Sequence, residues 1–329
     1  MIVRSPAPLG LGAPVSADVR TSERPAMGGT LRITTTASIV AVRAVETVVA
    51  TLERRWSRFR PDSELSRCNR AAGPAVVRPS TARIIEVALA GRELTDGWFD
   101  PTRGRDIAAA GYAHSIDRGW TPASDVLVQT GDVVVDADSG LLHLPENVAL
   151  DLGGIAKGWA ADLAATILFD SAPNRDAGRF AAVSVGGDVR VKSATRAIIE
   201  VEAPDGSNDR PLLVGLKDGG VAVSGPTKRA TVDGRHHLID PFTQRPAAEP
   251  RVAVVIAATT AGAEMLATAA AIAPLASAFD IIGRAGATAW LVERDGSIQA
   301  VGQPERFLLD LGWATQPRRA RWGPRDWTA

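Results

Sequence analysis

The chain has 329 residues, enough for one large domain or two closely packed ones. Its 37 basic and 37 acidic side chains cancel, which leaves no electrostatic footprint for a nucleic-acid partner. Apolar residues make up 45%, so a sizeable core can form, and the single cysteine, Cys68, excludes an intramolecular disulfide and any cysteine-based metal site.

Taken in chain order, residues 1–26 are rich in Pro, Gly and Ser and are expected to be loose. Arg4 is followed by Pro6, Pro8, Gly10, Gly12 and Pro14, which break the apolar helix that a signal peptide needs, so a cytoplasmic protein is expected. From Ser38 to Phe59 the residues Val42, Val45, Val49, Leu52, Trp56 and Phe59 step by three and four, the spacing of an amphipathic helix. A second helix is expected from a Ser80 cap to about Gly97, and a third over Ile155–Phe169. The apolar run Val252–Ala273 contains Thr259, Thr260, Gly262 and Glu264. A central carboxylate costs roughly 2.5–3.5 kcal/mol in a bilayer. The run therefore reads as a buried strand and a fourth helix over Thr260–Ala273, with a fifth from Pro274 to about Gly283.

Strand signals fall at Val126–Val128, Val133–Val135, Leu141–Leu144, Ala181–Val191, Ala197–Ala203, Val221–Ser224 and Arg251–Ala257. Ala289–Glu293 and Ser297–Val301 flank Asp295-Gly296, a hairpin turn. Hairpin-linked strands in clusters, with helices between the clusters, predict an α+β fold with mostly antiparallel sheets and packed helices. The expected domain layout is the loose segment 1–26, one domain over 27–315 that could divide into two sub-lobes, and a tail over 316–329. Arg318, Arg319, Arg321 and Arg325 lie in that tail beside Trp322 and Trp327.

Several short motifs could carry chemistry. Asp151-Leu-Gly-Gly-Ile-Ala-Lys-Gly158 lies where a strand becomes a helix. Its glycines allow close backbone approach, the helix N-terminus favours phosphate, and Lys157 adds a point charge; the alternative is a glycine-rich turn with a surface lysine. Glu264 and Thr268, four apart on a helix, place a carboxylate and a hydroxyl on one face, a pair suited to Mg2+. Glu264 is also the only charge between Val252 and Ala273, and an unpaired buried carboxylate is costly. The other reading is an exposed Glu264 and a filler Thr268. In His236-His237-Leu-Ile-Asp-Pro-Phe-Thr243 the adjacent histidines point apart if the segment is extended, and Asp240 could orient one of them or meet a cation. An ordinary Asp-Pro turn with surface histidines remains open. Phe99-Asp100-Pro101-Thr102 and Gly186-Gly187-Asp188 read as turns by default. With four histidines (His114, His143, His236, His237), a multi-His zinc site is unexpected, so any metal should be a hard cation held by oxygen.

In order, these pieces resemble the FAD:protein FMN transferase family, also called the ApbE or Ftp family. Met27-Gly-Gly-Thr30 is similar to its opening Met-Gly-Thr. Ser57-Arg-Phe-Arg-Pro-Asp-Ser-Glu-Leu-Ser-Arg-Cys-Asn69 is similar to its Ser-x-Tyr/Phe…Asp-Ser-x-Leu…Asn segment. Phe99–Thr102, Asp151–Gly158, Gly186-Gly187-Asp188 and Ser224-Gly225 match closely. His237-Leu-Ile-Asp-Pro-Phe-Thr243 resembles His-Ile-Ile-Asp-Pro-x-Thr-Gly, and Ala263-Glu-Met-Leu-Ala-Thr268 resembles Ala-Asp-Ala-Leu-Ala-Thr. Three positions depart: Glu264 replaces Asp, Gln244 stands where Gly follows Thr243, and Pro226 follows Ser224-Gly225.

The resemblance implies an ApbE-like architecture, related to the T-fold, with FAD in a cleft. By that likeness Met27 and Phe59 border the flavin site, with Phe99, Asp100 and Thr102 nearby, and Asp151, Lys157 and His237 contact FAD. The Gly154 carbonyl, Glu264 and Thr268 would ligate Mg2+. The implied reaction transfers the FMN moiety of FAD to a Thr or Ser hydroxyl of an acceptor flavoprotein and releases AMP. His237, oriented by Asp240, is the candidate base. FAD hydrolysis to FMN and AMP, or FAD binding without catalysis, are the alternatives.

Overall fold

The computed structural model describes residues 2–4, 19–112, 132–173, 178–202, 211–226, 236–310 and 312. The expected strand at Val126–Val128 and the expected tail lie outside these residues. The strands are β1 (Ile2–Arg4), β2 (Arg20–Ala26), β3 (Gly29–Thr35), β4 (Gly73–Val76), β5 (Val134–Asp136), β6 (Leu141–Leu144), β7 (Phe180–Val185) and β8 (Asp188–Val201). They continue with β9 (Leu212–Ser224), β10 (Ile239–Asp240), β11 (Arg245–Pro246), β12 (Val252–Ala257), β13 (Thr288–Val292), β14 (Ile298–Val301) and β15 (Leu308–Asp310). The helices are α1 (Ile39–Trp56), α2 (Glu64–Ala71), α3 (Pro79–Leu94), α4 (Gly104–Ile107), α5 (Ala156–Ser171), α6 (Thr260–Ile272), α7 (Leu275–Arg284) and α8 (Pro304–Phe307).

The fold is α+β. The large sheet runs β14-β13-β12-β9-β8-β7-β3-β2, with β1 added on β8 and β15 on β9. Its ladders are antiparallel, as are those of the small sheet β4-β6-β5 and the hairpin β10-β11. The N-terminal segment is not loose throughout. Arg20–Ala26 pairs residue for residue with β3, and Ile2–Arg4 pairs with β8. Proline and serine disfavour helix there, but backbone pairing along a sheet edge still orders the segment.

The helices form where their apolar periods predict, and side-chain caps fix the starts of α1 and α6. Ser38 accepts the Ala41 amide at the start of α1, and Thr259 accepts the Gly262 amide at the start of α6. Two expectations change. The second helix begins at Pro79 rather than after a Ser80 cap, because proline loses no helical hydrogen bond in the first turn. The run Ala181–Val191 is two strands, since Gly186 and Gly187 take φ 60° and 100° and make a two-residue hairpin turn.

The sheet is buried on both faces, and β12 shows how. Val252, Val254 and Ile256 join a cluster with Val191, Ile199, Val214 and Trp290. The alternate residues Ala253 and Val255 pack with Leu266, Ala270 and Ile281 of α6 and α7. A third cluster joins α1, α2, α3 and α5 to Leu31, Ile33 and Val183 of the sheet. Helix α6 straddles the helical clusters, with Met265 in one and Leu266 in the other.

Candidate active site

The site is built where α5 and α6 start beside two hairpin turns. Helix α6 begins against glycines: a Cβ at Gly158 would lie 2.5 Å from the Thr260 carbonyl oxygen, and one at Gly220 2.3 Å from the Thr260 Cα. Asp162, one turn along α5, accepts the Thr260 and Ala261 amides at 2.8 and 2.9 Å. This cap satisfies two free N–H groups and places an anion at the positive end of α6. Burial raises the Asp162 pKa against the pull of those amides and of Arg190. The register that results sets Glu264 facing the start of α5.

Glu264 is buried, and both its oxygens have partners. The Gly158 amide donates to Oε2 at 2.8 Å, and the Lys157 ammonium donates to Oε1. The same ammonium meets Asp188 Oδ2 at 3.0 Å and donates to the Gly153 carbonyl at 3.2 Å. Lys157 is thus not a surface lysine: its side chain is 12% exposed, against 7% for Asp188 and 3% for Glu264. Its stem crosses the Gly186 turn, where a Cβ would sit 2.8 Å from Lys157 Cδ. Gly186 in turn touches Gly29 beside the Met27-Gly28 hairpin turn, so half-buried Met27 borders this cluster. The Thr268 hydroxyl donates to the Glu264 carbonyl at 3.0 Å and lies 3.4 Å from Ser224 Oγ. A Cβ on Gly154 would lie 3.5 Å from Thr268 Oγ1 and 2.9 Å from the Phe99 ring, so Gly154, Thr268 and Phe99 share one corner.

Asp151 is held in two ways. Its Oδ1 accepts the Gly153 amide at 2.6 Å, and its Oδ2 pairs with Arg58 Nε at 2.6 Å. The Arg58 guanidinium also lies 4.1 Å from the centre of the Phe59 ring, and Phe59 is 43% exposed beside Asp151. Asp100 is turned inward, with its side chain 2% exposed. It accepts the Thr102 amide and hydroxyl at 2.9 and 2.6 Å and pairs with Arg103 and Arg92. Asp100 and Thr102 therefore hold the turn after Phe99.

The histidine segment docks through Phe242, whose ring meets Trp98 edge-on at 4.7 Å. The Asp240 carboxylate accepts the Phe242 and Thr243 amides at 2.8 and 3.2 Å. Among the described residues it has no other partner, so it shapes the turn and does not orient His237. Gln244 adopts φ 60°, a conformation that the family's glycine takes without strain. His237 is half-buried, with its ring 6.2 Å from that of Tyr112. His236 points elsewhere: Nε2 lies 3.0 Å from the Ala247 carbonyl, and burial lowers its pKa.

The structure therefore gathers Met27, Gly154, Lys157, Glu264 and Thr268 into one region, with Phe99, Asp151 and Phe59 around it. Sequence reasoning passed over Arg58, Asp188 and Ser224, although each lies inside a motif it had singled out. Among the described residues no group of three or more His, Cys, Asp or Glu side chains could hold a metal ion. No helix among them is long and apolar enough to cross a membrane.

Comparison with known proteins places the chain in a family. The model of the ApbE family matches residues 27–292. The FAD:protein FMN transferase of Treponema pallidum is 32% identical over 235 residues, which cover 63% of this chain and 64% of that protein. The one from Vibrio cholerae is 27% identical over 229 residues, covering 64% and 66%. These matched stretches thus span just under two thirds of either relative. The ApbE protein of Thermotoga maritima superposes with a TM-score of 0.79 at 27% identity, covering 89% of this chain and 100% of the other. The Vibrio cholerae flavin transferase ApbE gives 0.71 at 23% identity, a likeness of fold. With a family model matching most of its length, the chain belongs to the ApbE family.

Proposed function

We propose that this chain transfers the FMN moiety of FAD to a Thr or Ser hydroxyl of an acceptor flavoprotein and releases AMP. The observation that carries the reading is the buried group Lys157, Glu264 and Asp188 at the N-terminus of α5, in a chain whose relatives are named FAD:protein FMN transferase. A helix N-terminus and an ammonium suit the pyrophosphate of FAD. Exposed Phe59 and half-buried Met27 offer apolar surface to a flavin ring.

The donors present fit Mg2+. Glu264, Thr268 and the Gly154 carbonyl supply oxygen only. Among the described residues, Glu264 and Asp188 share one cation, Lys157, which leaves an excess negative charge. A short protein shell suits an ion that takes further oxygens from substrate phosphates. When bound, the ion would neutralise charge on the pyrophosphate and on the departing AMP.

The protein's own part is positioning and charge. The acceptor oxygen forms a bond to the FMN phosphorus as the bond to the AMP oxygen breaks. His237 takes the hydroxyl proton on a ring nitrogen, a role worth roughly 10²–10⁴-fold. Asp151, fixed by Arg58, keeps the 151–154 turn in place under the substrate.

The test is AMP release from FAD and Mg2+, with and without an acceptor domain carrying a Thr-containing motif, and again in excess EDTA. AMP should require both acceptor and metal, in step with covalent flavin on the acceptor. AMP formed equally without acceptor would mean hydrolysis instead, and no AMP in any mixture would mean a flavin-binding protein.

A further inference from the structure

Lys157 stands in an unexpected place for a residue meant for a phosphate. All three of its N–H donors find protein acceptors: Glu264, Asp188 and the Gly153 carbonyl. Glu264 is also the carboxylate that the proposed metal needs. An ammonium and a divalent cation cannot share Glu264 Oε1 at contact distance, since like charges so close in a buried site repel strongly. Nor can the two carboxylates be left bare, because uncompensated buried charge is strongly destabilising.

We infer that Lys157 is the resident cation of this site: it neutralises Glu264 and Asp188 until a divalent ion binds at Glu264, and Asp188 then retains the displaced ammonium beside the site. The geometry suits an exchange. Asp188 opens β8 and pairs with Val185 across the Gly186-Gly187 turn, so the ladder holds its backbone as the ammonium shifts. The Lys157 stem lies along that same turn, so the ammonium can leave Glu264 while the stem remains packed. The Gly158 amide still satisfies Glu264 Oε2 throughout. Asp188 is a positioning residue in this scheme, acting through Lys157. The inference rests on Glu264 being a metal ligand.

The test uses the full chain without FAD and reads Mn2+ binding by titration calorimetry. Lys157→Met keeps the stem and removes the charge. It should bind Mn2+ about tenfold more tightly than the parent, the scale of removing one close like charge. Its metal-free melting temperature should fall by about 5 °C and be largely restored by Mn2+. Asp188→Asn should weaken Mn2+ binding more in the parent than in the Lys157→Met background, where only the loss of a nearby negative charge remains. Equal or weaker Mn2+ binding by Lys157→Met overturns the inference, while a Glu264→Gln variant that loses Mn2+ binding would still uphold the metal site. A penalty from Asp188→Asn as large without Lys157 as with it also overturns it, because Asp188 would then act on the metal directly and not through Lys157. A second measurement needs no change at Lys157. The chain has four lysines, Lys157, Lys192, Lys217 and Lys228, so 13Cε-labelled lysine gives few resonances, assignable through Arg substitutions at the other three. Mg2+ should move the Lys157 signal, and an unmoved signal overturns the inference.

Discussion

His236 donates from Nε2 to the Ala247 carbonyl, and its Nδ1 is enclosed with no hydrogen-bond partner among the described residues. Under the proposed reading His237 is the base, and His236, held on the Ala247 carbonyl, is not. His237→Ala should slow single-turnover flavinylation by roughly 10²–10⁴-fold with FAD affinity nearly intact, whereas His236→Gln should leave transfer unchanged. His236 has a separate signature. Burial lowers its pKa from 6.5, so below pH 6.5 the unfolded chain binds a proton that the folded chain refuses. The stability it contributes is present above pH 6.5 and is lost as pH falls through the lowered value, with a slope of at most about 1.4 kcal/mol per pH unit. Urea unfolding of His236→Gln at several pH values should show a flatter acid limb than the parent. An identical limb would mean that this ring titrates as freely folded as unfolded.

Helix α6 shows what was legible in the sequence and what was not. Its length and the strand before it follow from local chemistry, and so do α1, α5, α7 and the β13–β14 hairpin. The contacts that make it functional do not. Glu264 meets Lys157 across 107 positions, and Asp151 meets Arg58 across 93, and neither pairing leaves a periodic trace. The likeness to a family supplied the neighbourhood but not the Lys157–Glu264 bond, nor the inward turn of Asp100, nor the local turn that Asp240 closes. The glycines against which α6 starts are equally silent in sequence, since Gly220 reads only as a weak point in a strand. At Gly220 an added methyl group meets the Thr260 backbone, which cannot yield as a side chain would. Gly220→Ala should cost about 1–3 kcal/mol and weaken Mn2+ binding by shifting Glu264. Gly283 in α7 has open space around its would-be Cβ, so Gly283→Ala should stabilise by about 0.4–1 kcal/mol and leave metal binding alone. If both variants melted like the parent, α6 would not be wedged as described.

Across the whole molecule, the candidate site draws on residues from Met27 to Thr268, and no sequence-local unit holds it. Strand order does the gathering: β3 pairs with β7, β7 with β8, β8 with β9 and β9 with β12, which carries the chain into α6. The three apolar clusters meet along this path. Trp98 packs against two of them, and α6 contributes to both helical ones. We expect the described strands from β2 to β15 and the helices between them to unfold as one unit for this reason, since opening either helical cluster strips α6 of half its packing. A ligand that binds only the folded site should then stabilise the whole unit, by about 2.7 kcal/mol at a hundred times its dissociation constant. For a domain of this size that is a rise of about 5 °C or slightly more in melting temperature. Calorimetry of the chain with FAD and Mg2+ should show a single peak that moves as a whole. Two peaks, with one moved by FAD and one left in place, would instead divide the chain into separately folding sub-lobes, with the site in only one of them.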